Sequence, residues 1–268
     1  MSKSGRKSLG PEALLYGRHA VAAALANPER RWRRLVVLAG HEEEATTLVA
    51  GARATRRPYV GDQGGDDRSL TAISVLDQSS FAAILPRHAV HQGLALEVEP
   101  LPERDLEDVL CIGPASDGCI IVVLDQLSDP QNIGAVLRSA AAFGALAVVI
   151  PAHGAPPNTG ALAKAASGAL ESVPLVRVVN LARALDRLKE AGFWICGLDE
   201  AAPLSLGQTD IGKRVAIVLG SEGGGMRRLI RERCDFRARL PTRPAQPTLN
   251  VSNAAAVALY ELTRGRDS

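Results

Sequence analysis

The polar residues that could carry out chemistry in this chain follow short apolar runs. The first such segment comes after the run Ile120–Leu124 and continues from Asp125 to Arg138. It places Asn132 near the start of a helical pattern, where capping the helix is its ordinary role. Arg138 lies about 140° around that helix from Ile133, so it points away from the apolar face. Without further context, a solvated helix arginine is the interpretation to favour.

A glycine-rich turn follows a second apolar run. The run Val215–Leu219 leads into Gly220-Ser-Glu222-Gly-Gly-Gly225. Glycines allow a tight turn and let the backbone approach a ligand closely. The spacing is not the GxGxxG of a dinucleotide site, and only one strand pattern follows, whereas that site follows the first strand. The turn therefore argues against a nicotinamide-dependent oxidoreductase.

A third polar segment leads into the last helical pattern of the chain. It runs from Leu240 to Ser252 and holds three prolines, with Asn250 next to the predicted start of the helix. The helix is predicted from Val251 to Thr263, because its apolar residues recur at helical spacing. A long crossover is the ordinary interpretation of the loop. Its proline content and polar residues also fit a ligand-binding loop.

Strand and helix patterns alternate along the second half of the chain. The strand patterns cover Ile120–Leu124, Leu146–Ile150, Val173–Val178, Phe193–Leu198, Val215–Leu219 and Phe236–Leu240. Alternation of this kind predicts an α/β fold with a mostly parallel sheet covered on both faces. Ligands of such sheets bind at the carboxyl ends of the strands, where the three polar segments begin.

The first part of the chain, from about Leu14 to Val98, predicts a smaller α/β unit. Helical spacing covers Gly17–Ala26 and Glu42–Ala54, and strand patterns cover Arg34–Leu38 and Leu94–Val98. A Gly/Asp-rich turn is expected over Gly61–Asp67, and the proline- and acid-rich stretch 100–118 is interpreted as a linker.

Composition excludes several classes of function. The net charge is only +2, so any nucleic-acid surface must come from local clusters of arginine, and 3% aromatic residues cannot support binding mainly by base stacking. The four cysteines form no CxxC or Cys/His cluster, which argues against structural zinc and disulfides. No apolar run reaches membrane-spanning length and the first nine residues do not resemble a signal peptide, so a cytoplasmic protein is expected.

Taken together, the three polar segments resemble the motifs of the SpoU (TrmH) family of the SPOUT superfamily. Asn132, Gly134 and Arg138 match the first motif, and the turn from Gly220 to Gly225 matches the second. Leu249-Asn250-Val-Ser252 matches the third. Tyr16-Gly17-Arg18-His19 and His91-Gln92-Gly93 resemble the signatures of the family's L30e/L7Ae-like substrate-binding domain. Segments 168–177 and 225–234 look closest to the RlmB branch, which methylates a guanosine ribose in 23S rRNA.

The resemblance implies an S-adenosyl-L-methionine (AdoMet)-dependent RNA 2′-O-ribose methyltransferase. It implies an L30e-like RNA-binding domain over 12–99, the linker 100–118, and a trefoil-knot methyltransferase domain over 119–265. A homodimer without a metal is also implied, with each active site completed across the interface. The residues implied to hold AdoMet are Gly220, Gly225, Leu240, Thr248 and Leu249.

Two features depart from the family pattern. The chain has Pro241-Thr-Arg-Pro244 where the family usually has Pro-Met-x-Gly, and it has Thr248 where serine is usual. The first departure removes a glycine from the expected cofactor loop. It keeps open a non-catalytic RNA-binding or ribosome-assembly factor on the same fold.

The resemblance also assigns roles to individual residues. Arg138 is expected at the ribose hydroxyl, with Asn132, Glu222 and Asn250 arranging the site. Because arginine stays protonated in proteins, we expect it to fix a phosphate and stabilise the oxyanion rather than act as a base. RNA is expected to contact the basic residues Arg30, Arg31, Arg33 and Arg34, together with Arg53, Arg56 and Arg57; solvated charge is the ordinary alternative. A tRNA ribose methyltransferase is the alternative within the class.

Overall fold

The structure is a computed structural model that describes residues 14–55, 73–87, 89–112, 118–156, 160–243 and 249–264. The chain divides into two compact units. The first contains Met1–Pro102 and Pro157–Glu171, and the second contains Glu103–Pro156 and Ser172–Ser268. The sequence had assigned Pro157–Glu171 to the second domain, but this segment packs with the first unit.

The bounds of the described elements are as follows. The strands are β1 Leu14–Tyr16, β2 Trp32–Leu38, β3 Ile73–Leu76, β4 Leu94–Val98, β5 Ile120–Leu124, β6 Ala147–Pro151, β7 Leu175–Val178, β8 Trp194–Leu198, β9 Val215–Leu219 and β10 Phe236–Ala238. The helices are α1 Arg18–Ala26, α2 Glu42–Thr55, α3 Gln78–Ala83, α4 Leu106–Ile112, α5 Pro130–Ala142, α6 Gly160–Ala166, α7 Leu181–Glu190, α8 Arg228–Glu232 and α9 Val251–Thr263. Short 3-10 turns occur at Ala169–Glu171 and Leu206–Gln208.

The first unit is built on a four-stranded sheet in the order β1-β4-β2-β3. β4 is antiparallel to β1 and β2, and β3 is parallel to β2. Apolar residues of α1, α2, β2 and β4 form its main core, to which Ala163 of α6 also contributes. Because Ala163 is far along the chain, residues 14–102 do not contain the whole of this core.

The second unit is a six-stranded parallel sheet in the order β10-β8-β9-β5-β6-β7. Every residue of β5 and β9 is buried, as expected for the centre of a parallel sheet. Helices α4, α7 and α8 contribute to the core cluster on one face. The apolar face of α5 is buried, and α5 packs against α9. Both helices also contact strands, α5 at β6 and α9 at β9.

The prediction of an α/β fold is confirmed, and six strand patterns of the second half correspond to β5–β10. The predicted strand Leu94–Val98 and the predicted helix Val251–Thr263 have the observed bounds. Sequence patterns missed four elements, β1, β3, α3 and α4, of which α4 lies inside the predicted linker. The predicted turn Gly61–Asp67 lies outside the described residues.

Candidate active site

The two central strands of the second unit bring two of the polar segments to the same edge. β5 and β9 are parallel neighbours, and Leu124 pairs with Leu219 at their carboxyl ends. The segment beginning at Asp125 and the turn beginning at Gly220 therefore start side by side. The backbone N–H of Asp125 donates to the carbonyl of Leu219 at 2.8 Å and fixes this junction.

The side chains of Asn132, Glu222 and Asn250, one from each polar segment, form a single hydrogen-bonded cluster. Asn250 Nδ2 donates to Glu222 Oε1 at 2.6 Å and to Asn132 Oδ1 at 3.1 Å. Glu222 Oε1 also accepts from the backbone N–H of Val251 at 3.2 Å. The cluster therefore joins segments that are 118 and 28 residues apart in the chain.

Helix caps explain why two of these side chains are available. Asp129 caps α5 by accepting from the N–H of Gln131, so Asn132 does not have the ordinary capping role and its side chain is used elsewhere. Asn250 does cap α9, because its Oδ1 accepts from the N–H of Ser252 at 2.9 Å. This bond fixes the amide, so that Nδ2 faces Glu222 and Asn132.

The turn after β9 has a backbone geometry that requires glycine. A Cβ on Gly220 would lie 2.0 Å from the carbonyl carbon of Gly225, which backbone atoms cannot accommodate. Ser221 and Gly225 exchange two backbone hydrogen bonds across the turn, at 3.1 and 2.9 Å. Gly223 and Gly225 have φ values of 76° and 62°, which favour glycine. The turn therefore presents bare backbone, with Glu222 at its tip.

A buried ion pair that the sequence did not suggest anchors the far end of this turn. Asp125 is fully buried and accepts two hydrogen bonds from Arg227, from the backbone N–H and from Nε, each at 2.8 Å. Arg227 Nη2 also lies 2.7 Å from Asp125 Oδ1. A buried carboxylate needs such partners. The next residue, Gln126, has a φ of 63°, a conformation that is costly for a residue with a side chain. Local strain and a buried charge thus both lie beside the cluster.

Arg138 does not belong to the hydrogen-bonded cluster. It lies on α5 six residues after Asn132, which corresponds to about 9 Å along the helix axis. Its side chain is exposed and, within the described parts of the chain, forms no hydrogen bond or ion pair. The structure thus leaves the guanidinium available for a ligand but does not bring it to Glu222 or Asn250 within one chain.

The residues expected to hold the cofactor are only partly described. Gly220 and Gly225 form the turn, Leu240 follows β10 and is half-buried, and Leu249 is an exposed apolar residue directly before Asn250. Thr248 lies outside the described residues, as does Pro244 of the altered loop.

The arginines expected to bind RNA differ in their surroundings. Arg30 is buried, and its ion pair with Glu171 at 2.6 Å leaves no guanidinium surface for RNA; the prediction of phosphate binding is not supported there. Arg34 is half-buried and paired with Glu97. Arg33 is exposed and lies 3.2 Å from Glu99, and Arg31 is exposed. The side chain of Arg53 lies outside the described part of the structure, as do Arg56 and Arg57.

Cys196 and Cys234 are two free thiols of the second unit. Burial raises the pKa of Cys196 to about 12 and that of Cys234 to about 11, so both thiols stay protonated at neutral pH. The described residues contain no group of three potential metal-ligating side chains. Among the helices of the described segments, none is long and apolar enough to cross a membrane.

Comparison with known proteins identifies the family. The sequence model of the SpoU rRNA Methylase family matches residues 119–260. The chain belongs to this family. It is 36% identical to the 23S rRNA (guanosine-2′-O-)-methyltransferase RlmB of Escherichia coli over 94% of the chain and 98% of that protein. It is also 36% identical to an uncharacterized tRNA/rRNA methyltransferase of Synechocystis over 94% of the chain, although it spans only 62% of that longer protein.

Solved structures agree on the fold. The SpoU methyltransferase AviRb of Streptomyces viridochromogenes superposes with a TM-score of 0.73 at 22% identity, covering 96% of this chain and 90% of that one. The similarity therefore extends over both units and not only over the matched methylase region.

Proposed function

We propose that this member of the SpoU family is an AdoMet-dependent RNA methyltransferase that modifies a ribose 2′-hydroxyl, of a guanosine in 23S rRNA. The observation that carries the proposal is the cluster of Asn132, Glu222 and Asn250, which unites three separated motifs at one edge of the sheet. The similarity to RlmB proteins, which extends over nearly the whole chain, supports rRNA rather than tRNA as the substrate.

The residues at the carboxyl ends of β9 and β10 fit the cofactor. AdoMet would supply an activated methyl group on a sulfonium. The bare backbone of the turn from Gly220 to Gly225 can approach a planar adenine or a ribose closely, where a Cβ would block it. The backbone at Leu240 and Leu249 would complete the pocket, with Gly225 and Thr248 beside it. Leu249, an apolar side chain that is 38% exposed, offers a surface for the adenine.

The cluster has the chemistry to position an RNA hydroxyl. Asn250 is held by its helix cap and by Glu222, and it in turn holds Asn132. Within the described residues the Asn132 amide nitrogen donates to no acceptor, so it can donate to a ribose oxygen. Fixed donors of this kind orient a nucleophile without reorganisation at the moment of reaction.

Arg138 is proposed to bind the phosphate beside the reacting ribose and to stabilise the developing oxyanion. It is exposed and carries a permanent charge, which are the properties that this role requires. Since it lies away from the cluster in its own chain, the proposal includes a homodimer in which each site is completed across the interface. The exposed apolar residues Val257 and Tyr260 of α9 offer a surface for such a dimer.

Three further features belong to the proposal. The chain between β10 and α9 is proposed to form the trefoil knot of the SPOUT superfamily, and the first unit an L30e-like RNA-binding domain. The proposed domains cover 12–99 and 119–265, except that Pro157–Glu171 groups with the first unit. The sheet orders of both units and the superposition on a SpoU structure support the proposed two-domain architecture. The proposed cellular compartment is the cytoplasm, since the substrate would be ribosomal RNA.

The deciding experiment is methyl transfer from labelled AdoMet to unmodified rRNA and tRNA, followed by nucleoside analysis. The proposal expects 2′-O-methylguanosine in 23S rRNA. Label in tRNA alone would assign the tRNA alternative. Absence of label in both RNAs, together with absence of AdoMet binding, would favour the non-catalytic assembly factor suggested by the altered loop at Pro241–Pro244.

A further inference from the structure

The two ends of the first unit's sheet differ in how their cations are paired. At the end where β2 begins and β4 finishes, three arginines each have a carboxylate partner. These pairs are Arg30–Glu171, Arg33–Glu99 and Arg34–Glu97. Paired charges attract phosphate weakly, because binding RNA would require the existing partner to be displaced. This end is therefore a poor candidate for the main RNA contact.

At the opposite end, a glutamine is held in a strained and specific orientation. Gln92 directly precedes Gly93 and β4, and it has a φ of 53°. Its Oε1 accepts from the backbone N–H of Arg18 at 3.2 Å and from Lys164 Nζ at 2.9 Å. With the oxygen occupied twice, the amide nitrogen must face outward. The residue is exposed, and over the described ranges its amide nitrogen donates to no protein acceptor.

Among the described residues, Lys164 is a cation without an anionic partner. Three cationic side chains of the described first unit are buried or half-buried: Arg30, Arg34 and Lys164. The two arginines have carboxylate partners, but the lysine has only the neutral oxygen of Gln92 among the residues described. Partial burial lowers the pKa of Lys164 by desolvation. A cation that is desolvated without a counter-charge favours an anionic ligand.

A glycine makes this arrangement sterically feasible. Gly17 has a φ of 88°, and a Cβ there would lie 2.3 Å from Lys164 Nζ. On the far side, His41 packs its ring against Gly93, where a Cβ would lie 2.5 Å from the ring. The backbone at this end is thus shaped to admit charged and polar side chains rather than to pack apolar ones.

A further cation extends the same surface. The Arg18 side chain is 59% exposed, and its Nε lies 3.0 Å from Glu44 Oε1. Glu44 also faces His41, with 3.4 Å between His41 Nδ1 and its Oε2. One carboxylate therefore serves two basic groups, and Lys164 adds a charge that this carboxylate does not balance.

We propose that Arg18, Gln92 and Lys164 form an RNA-binding surface, which we call the Gln92 edge. Lys164, which has no carboxylate partner among the described residues, would contact a phosphate, and the outward amide of Gln92 would donate to a phosphate or base acceptor. The exposed Arg18, although paired with Glu44, would lie beside them. RNA fits because it combines closely spaced anions with acceptors that an oriented amide can reach. The inference rests on the proposed function and moves the principal RNA contact of the first unit away from the predicted arginine cluster.

A structural role for the same residues makes a different prediction. Gln92 could serve only to satisfy the N–H of Arg18 and to hold Lys164 in place. The variant Gln92→Glu separates the two roles, since a carboxylate keeps both acceptor contacts and gives Lys164 a counter-charge. It removes the outward amide and adds one negative charge. Arg31→Gln is the matched control, because it changes the net charge by the same amount at the other end of the sheet.

The experiment measures the affinity of the full-length protein for an unmodified 23S rRNA transcript over a series of salt concentrations. We expect Gln92→Glu to weaken binding at least tenfold without lowering Tm, and Arg31→Gln to change it less than twofold. Lys164→Gln should also weaken binding and reduce the slope of log affinity against log salt by about one. Equal effects of Gln92→Glu and Arg31→Gln, or no effect of Gln92→Glu, would overturn the proposal.

Two further measurements, AdoMet affinity and methyl transfer, distinguish a failure of this inference from a failure of the proposed function. AdoMet affinity and methyl transfer at saturating RNA should be unchanged in all three variants. KM for RNA should rise in Gln92→Glu and Lys164→Gln while kcat stays, and KM should change less than twofold in Arg31→Gln. If the variants bind RNA normally while the wild type methylates rRNA, the Gln92 edge is wrong and the function stands. If the wild type neither binds nor methylates RNA, both proposals fail.

Discussion

Two arginines, one from each unit of this protein, show opposite uses of the same side chain. In the first unit, Arg30 is buried against Glu171, with both side chains less than a tenth exposed. In the second, Arg138 is exposed and unpaired among the described residues. The buried arginine replaces water by carboxylate contacts and stabilises the fold, whereas the exposed one keeps its charge for a ligand. Arginines that look alike in the sequence therefore divide into structural and functional groups by burial and partner.

The largest effect is expected where the arginine is buried. Arg30→Ala should lower the free energy of unfolding by about 3–5 kcal/mol, because it leaves the carboxylate of Glu171 buried without a counter-charge. Urea denaturation measures this. A decrease in the free energy of unfolding of less than about 1 kcal/mol would show that Arg30 does not stabilise the fold, and the contrast with Arg138 would then be wrong.

Arg138→Lys tests the functional side of the comparison. It should reduce methyl transfer about 10²–10³-fold, since lysine keeps the charge but loses the planar fork that stabilises an oxyanion. Single-turnover assays measure the loss. Tm and AdoMet affinity serve as controls and should stay unchanged because the side chain is exposed. Wild-type turnover in this variant would remove Arg138 from the mechanism.

Glu222→Gln should have an intermediate effect. It weakens a charge-assisted contact to Asn250 Nδ2 that is worth about 1.5–3 kcal/mol, which corresponds to a roughly 10- to 100-fold lower rate. Glu232→Gln is the control, since Glu232 is exposed and lies 3.5 Å from the exposed Arg228. The hypothesis of a shared cluster predicts that Glu222→Gln and Asn250→Ala combine less than additively; full additivity would contradict it.

The smallest effect is expected at Arg33. Its pair with Glu99 is solvent-exposed, so Arg33→Gln should change the free energy of unfolding by less than about 1 kcal/mol. Urea denaturation of Arg33→Gln and Arg30→Ala under the same conditions compares the loss of a surface ion pair with the loss of a buried one in the same unit. A loss as large as that of Arg30→Ala would refute burial as the cause of the difference.

Much of the second unit follows from local sequence. Its central strands are continuous apolar runs, and the observed bounds of β5 and β9 match the predicted ones because every residue in them is buried. Asn250 was expected beside the start of α9 and caps it. Element α4 was missed because the acidic, proline-rich stretch around it resembles a linker.

The sequence by itself determined the parallel sheet, the order of the three motifs and the family, since these depend on local periodicity and residue spacing. Only the tertiary structure decided which polar side chains meet. Asp125 pairs with Arg227 and Arg30 pairs with Glu171 across 102 and 141 residues, and Asn132 accepts from Asn250 rather than capping α5. Such pairings depend on burial and on the register of neighbouring strands, and neither is encoded in the spacing of one segment.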